Sequence, residues 1–153
     1  MSEREKLLSV SGLKVTFDVF PQGAMPWTKP RKLKAVDGVD FDLFAGETLG
    51  IVGESGCGKS TLARAVARMV PASAGEVLWL GKDLLGMGNR ELKDVRSDVQ
   101  FIFQDPLASL NPRMTIGQII AEPLKTHTPG ISKADIKTRV KAMMDRVGLL
   151  PNL

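Results

Sequence analysis

The stretch Gly53-Glu54-Ser55-Gly56-Cys57-Gly58-Lys59-Ser60-Thr61 constrains this chain more than any other. It fits the pattern G-x-x-x-x-G-K-[S/T]. A short apolar run, Thr48 to Val52, precedes it and reads as a strand buried on both faces. A helical pattern, Lys59 to Met69, follows with Leu62, Val66 and Met69 on one face, and Pro71 stops it. A strand, a glycine-rich turn and a helix in that order make a grip for a polyphosphate.

Each residue type in the turn has a physical reason. Successive backbone N–H groups must point inward around the phosphates, and glycine adopts the required conformations and close approaches most easily. The new helix offers unpaired N–H groups and the positive end of its dipole. Lys59 brings a full positive charge to the β- and γ-phosphates, and Ser60 a hydroxyl for Mg²⁺. Thr61 adds a phosphate hydrogen bond. Cys57 falls at a variable position of the turn and reads as a tolerated small residue rather than a reactive thiol. The competing structural explanation is an ordinary glycine-rich turn beside a solvated lysine.

The flanking chain alternates between strand and helix signals. Leu7 to Phe20 reads as one strand, or two interrupted at Gly12, and Leu33 to Phe44 as another, so the two form an antiparallel hairpin. Residues 21–32 hold three prolines and read as its loop. Ala45-Gly46-Glu47 is a turn. Gly75 and Gly81 bracket a strand at Glu76 to Leu80, Arg90 to Arg96 is a short polar helix, and Val99 to Phe103 is a further strand. Thr115 caps a helix through Ile116, Ile119 and Ile120 that Pro123 is expected to end. Ser132 and Asp135 have capping-box spacing. The helix they open carries an apolar stripe of Ile136, Val140, Met143 and Val147, with Gly148 just past its end.

Composition narrows the function classes. The 153 residues are 43% hydrophobic and 25% charged, the proportions of one globular domain. A single cysteine excludes an internal disulfide framework. The longest uncharged stretch, Val19 to Thr28, is far short of the ~18 apolar residues of a membrane helix, and no apolar signal core follows Met1. The chain therefore reads as cytoplasmic. A net charge of +4 gives little support for nucleic-acid binding. The one basic cluster, Lys29, Arg31, Lys32 and Lys34, reads as a solvated loop or as a weak attraction to lipid head groups or an acidic partner.

A second candidate site is Val99-Gln100-Phe101-Ile102-Phe103-Gln104-Asp105. Asp105 at a strand end could approach Mg²⁺, but the glutamines and Pro106 favour Gln104 as the useful group. A neutral amide there can bond the Mg²⁺ shell or an attacking water. At this point the chain resembles the ATP-binding subunits of ABC transporters. Gly53 to Thr61 is similar to their Walker A, and Phe103-Gln104-Asp105-Pro106 to their Q-loop. Leu107-Ala108-Ser109-Leu110-Asn111-Pro112-Arg113-Met114-Thr115 resembles the oligopeptide and dipeptide permease branch, as does Leu33-Lys34-Ala35-Val36-Asp37-Gly38-Val39.

The resemblance runs over about residues 7–153 and implies an α/β fold. Residues 7–104 would hold a P-loop ATP-binding core with a small antiparallel β subdomain, and residues 105–153 the Q-loop and the start of a helical subdomain. It implies ATP and Mg²⁺, with Lys59 and Gln104 in catalytic roles, Gly53 to Thr61 around the nucleotide, and Ser60 and Gln104 near the metal. Phe17 falls where the family stacks adenine, with Phe20 and Trp27 as rivals and a buried core phenylalanine as the plain explanation. Partners would be transmembrane permease subunits, met by residues 104–123, and a second ATP-binding subunit, a related paralogue. The place of work would be the inner face of the membrane, and the process peptide uptake.

The family's LSGGQ signature, Walker B strand with its glutamate, D-loop, switch histidine and cysteine-containing tail find no match in these residues. His127 has a loop context and is not the switch residue. The chain thus reads as the N-terminal part of a longer subunit, incomplete as a fold, with uncovered sheet edges that favour poor solubility. It should hydrolyse little ATP alone, since phosphoryl transfer depends on positioned groups. The alternatives are a non-catalytic nucleotide-binding remnant and a P-loop kinase.

Overall fold

The computed structural model describes residues 4–23, 25, 27–105 and 109–149. Two compact units divide at Leu92 and Lys93.

The first unit is built on β1 (Lys6–Val19) and β2 (Arg31–Phe44), the expected antiparallel hairpin. β3 (Ala74–Trp79) pairs on the other edge of β1, and the short β4 (Lys82–Asp83) extends it, giving the order β2-β1-β3-β4. β1 lies inside the sheet and supplies more of the core than any other element. Leu8 and Val10 are buried at even positions, Leu13 and Val15 at odd ones. The switch of parity falls at a register shift between Val10 and Leu13. One extra residue there, at Gly12, keeps both pairs on the same face of a single continuous strand. α1 (Lys59–Val66) lays Leu62 and Ala65 against β1 and β2, and Val36, Val77, Leu84 and Leu92 are buried with them in the first unit.

α1 ends earlier than its apolar spacing predicts. Arg68 takes a left-handed φ of 51°, donating its N–H to Ala65 O while Met69 N–H reaches Arg64 O. Those two bonds close a Schellman cap, with arginine where glycine is usual. Met69 therefore lies outside the helix and is exposed.

Two expected strands do not form among the described residues. Neither Thr48–Val52 nor Val99–Phe103 pairs with a neighbour, and Val52 and Ile102 are each 92% exposed. A strand needs a neighbour to take its N–H and C=O groups. Every ladder of the described sheet joins β1, β2, β3 and β4 only.

Asp42 on β2 accepts Lys6 Nζ at 2.7 Å and the Ser9 hydroxyl at 2.6 Å. The lysine, then the hydroxyl, hold its carboxyl below the ordinary value of 3.8. A depressed carboxylate stabilises the fold above its unfolded pKa and loses that contribution as pH falls through the folded one. Asp42→Asn should therefore destabilise the sheet slightly at neutral pH and flatten the fall in melting temperature below about pH 4. Melts by circular dichroism from pH 6 to 3 check this.

The chain crosses into the second unit along α2 (Asn89–Asp98). Beyond it stand α3 (Ile116–His127) and α4 (Lys133–Arg146), which pack on each other. Thr115 caps α3 as expected, and Gln118 completes a capping box. Pro123 does not end α3; it sits inside, and Ala121, Ile120 and Leu124 around it pack with Val140 and Met144 of α4. That packing offsets a hydrogen bond the ring removes. His127 is the last residue of α3 rather than a loop residue. In α4 the buried face is Ile136, Val140 and Met144, not Met143 or Val147, which are 46% and 62% exposed. Ser132 caps α4, but the Asp135 carboxylate takes the Ser132 hydroxyl at 2.7 Å, so the box is not reciprocal. Gly148 follows the helix, and Leu149 N–H reaches Met144 O at 2.9 Å, folding Leu149 onto the α3–α4 core. Among the described residues no helix is long and apolar enough to cross a membrane.

Candidate nucleotide-binding site

The turn from Gly53 to Gly58 delivers the chain into α1, with Gly58 in the N-cap position at φ 99°. No side chain caps this helix and its first turn has no acidic residue. The leading N–H groups of α1 thus face the turn without a protein carboxylate or hydroxyl on them. Gly58 also presses against β2: a Cβ there would meet the Ala35 carbonyl and the Val36 side chain. Only glycine satisfies both the left-handed backbone and that approach. The contact fixes the turn to the hairpin.

Lys59 folds back over the turn. Its Nζ donates to Gly53 O at 2.8 Å and to Glu54 O, and lies 3.6 Å from Cys57 Sγ. The ammonium is thereby centred over the loop rather than extended into solvent. Cys57 is exposed.

A cleft of about 430 Å³ opens beside this turn, lined by Gly56 to Thr61 on one side and by Phe17, Leu33, Lys34 and Ala35 on the other. The hairpin register explains the second wall, because Phe17 on β1 sits opposite Leu33 on β2. Phe17 is 37% exposed at the cleft, and neither Phe20 nor Trp27 lines it. Of the three candidate aromatics, the structure thus brings Phe17 to the loop. Sequence reasoning missed Leu33, Lys34 and Ala35 as cleft residues; the signal was their place directly across the hairpin from Phe17. Lys34 is held by Asp37 at 3.1 Å, and that contact draws the Asp37 carboxyl below its ordinary value. The donor set fits a polyphosphate: open helix N–H groups, a lysine over a glycine turn, and the hydroxyls of Ser60 and Thr61.

Gln104 belongs to the second unit, exposed at a bend after Phe103. Of the segment 104–123, Pro106, Leu107 and Ala108 lie outside the described residues. Asn111 Oδ1 accepts Arg113 N–H at 3.0 Å and Asn111 O accepts Met114 N–H at 3.0 Å, a turn that feeds directly into the Thr115 cap.

The chain belongs to the ABC transporter family, whose model matches residues 36–152. Within that family its relatives include the oligopeptide transport ATP-binding protein OppF of Salmonella typhimurium, 61% identical over 153 residues, which are 100% of this chain and 46% of that protein. OppF of Bacillus subtilis is 47% identical over 146 residues, covering 95% of this chain and 45% of that protein. The glutathione import ATP-binding protein GsiA of Escherichia coli is 50% identical over 123 residues, 79% of this chain and 19% of that one. The chain spans a little under half the length of the OppF relatives it matches. Among solved structures, the dimeric ATP-binding cassette MJ0796 bound to ADP and Pi aligns with a TM-score of 0.75 at 23% identity, covering 94% of this chain and 58% of that one. That likeness establishes an ABC cassette fold, of which the chain holds a part.

Proposed function

We propose that this chain is the ATP-gripping part of an importer ATPase that couples ATP binding and hydrolysis to oligopeptide uptake. The observation that carries the reading is the cleft in which Phe17 faces the turn from Gly56 to Thr61. Gly53, Glu54, Ser55, Gly56, Cys57 and Gly58 wrap the phosphates with backbone N–H groups. Lys59 leaves the Gly53 and Glu54 carbonyls for the β- and γ-phosphate oxygens. Ser60 would offer its hydroxyl to Mg²⁺, which would neutralise phosphate charge there. Phe17 stacks on the base.

Stacking of a base on an aromatic is worth about 1–3 kcal/mol. Phe17→Ala should weaken MgATP binding about tenfold and leave tripolyphosphate binding unchanged, whereas Phe20→Ala should alter neither. Competition titrations with both ligands check this.

Gln104 acts as sensor of the γ-phosphate and Mg²⁺, and residues 104–123 meet membrane-embedded permease subunits. A second, related ATP-binding subunit completes the site. Identity to the OppF relatives over nearly the whole chain supports that assembly. Thr48–Val52 and Val99–Phe103 become strands when the rest of such a subunit supplies their neighbours.

By itself the chain binds MgATP with little turnover, because no group recognisable in it polarises the attacking water. Steady-state phosphate release should stay at the level of the Lys59→Ala variant. Robust release that this variant abolishes would mean a catalytic group within these residues and would overturn the assignment of an incomplete ATPase.

A further inference from the structure

The loop end of the β1–β2 hairpin carries side chains that do not line the nucleotide cleft. Between Val19 and Arg31 the connection exposes Phe20 at 59%, Met25 at 58% and Trp27 at 79%. Single exposed apolar residues are ordinary, but this many large ones in one short connection are not. A hydrogen bond from Thr28 N–H to Met25 O at 2.8 Å closes a turn around Trp27.

Within residues 19–36 the charge has one sign. From Val19 to Val36 the sequence contains no acidic residue, while Lys29, Arg31, Lys32 and Lys34 fall inside it. Lys32 is paired with Asp18 at 2.6 Å and Lys34 with Asp37 at 3.1 Å. Lys29 and Arg31, both exposed, take part in no ion pair among the described residues. The two cations nearest the apolar tip are those without a carboxylate. An apolar wedge bearing a tryptophan and flanked by unpaired cations matches the two signals that hold a peripheral protein on an anionic bilayer.

We propose that this hairpin tip docks on an anionic lipid surface, with Phe20, Met25 and Trp27 entering the headgroup boundary and Lys29 and Arg31 against lipid phosphates. A bilayer is favoured over an acidic protein because the exposed apolar side chains and the two unpaired cations share one short connection, and an anionic headgroup boundary takes up both. The docking is independent of the nucleotide grip.

The test uses the 153-residue chain with Trp79→Phe, so that Trp27 is the only tryptophan. Phosphatidylcholine vesicles containing a quarter phosphatidylglycerol should float the protein and shift Trp27 emission to the blue, and pure phosphatidylcholine should do neither. Each basic residue near such a surface is worth about fivefold in affinity. Lys29→Glu with Arg31→Glu should therefore weaken binding at least about tenfold, as should high salt. Trp27→Ser should weaken it with the charges intact. If the reversed variant fails to fold by circular dichroism, Lys29→Gln with Arg31→Gln serves instead. No flotation on the anionic vesicles overturns the proposal, as does equal flotation of the charge variants. A blue shift that grows with protein concentration without vesicles, or that an acidic protein produces and vesicles do not, also overturns it. Lys59→Ala should float like the parent, so a chain that floats but binds no MgATP would sink the nucleotide assignment alone.

Discussion

Lys59→Ala weakens MgATP binding by about ten- to a hundredfold and leaves the fold intact. The size follows from the bonds removed. Charge-assisted hydrogen bonds are worth about 1.5–3 kcal/mol each, and 1.4 kcal/mol is a factor of ten. Lys59 opens α1 with its ammonium on the Gly53 and Glu54 carbonyls at the loop surface, so no buried core contact is lost with it. Its loss also removes the staple that draws the two ends of the turn together. Equilibrium titration of a MgATP analogue, with far-UV circular dichroism on the same samples, reads both parts. Affinity within threefold of the parent would mean that the ammonium does not reach the phosphates.

Gly58→Ala costs about 3 kcal/mol, lowers the melting temperature by roughly 10 °C and abolishes nucleotide binding. A left-handed φ of 99° penalises any Cβ, and here that Cβ runs into the Ala35 carbonyl on β2. Relief requires moving α1 off the hairpin, which opens the contacts of Leu62 and Ala65 with the core. Gly56→Ala is the control. Its φ is 81°, but nothing lies within 4 Å of the new Cβ. It pays the backbone term alone, about 1 kcal/mol. Thermal unfolding of the two variants separates backbone strain from the clash. Equal melting temperatures would show that the approach of Gly58 to Ala35 does not hold the turn.

The glycine turn that runs into α1 was legible in the sequence because the chemistry of a polyphosphate grip would dictate residue types at fixed spacing. Gly53, Gly58, Lys59 and Ser60 have few substitutes for their tasks. The hairpin was legible for another reason, the alternation along Leu7–Phe20 and Leu33–Phe44; the extra residue at Gly12 that brings Leu8, Val10, Leu13 and Val15 to one face of one strand was not. What escaped depends on partners that periodicity does not name. The end of α1 is set by Arg68 in a conformation its residue type disfavours. The run of α3 through Pro123 rests on packing against α4. The buried face of α4 at Met144 rather than Met143 follows from where Ala121 and Leu124 lie. Thr48–Val52 and Val99–Phe103 have the composition of strands, but composition does not supply a neighbouring backbone. The second wall of the cleft needed the Phe17–Leu33 register, which depends on the length of the intervening loop.

The central claim is that the turn at 53–61 and Phe17 together grip MgATP. Calorimetric titration of the parent chain with MgATP, Mg-tripolyphosphate and adenosine tests it most directly. The account predicts one saturable site for MgATP, weaker binding of tripolyphosphate at the same site, and adenosine weaker than MgATP. A folded chain that takes up none of these ligands, or that binds adenosine as tightly as MgATP, would contradict it.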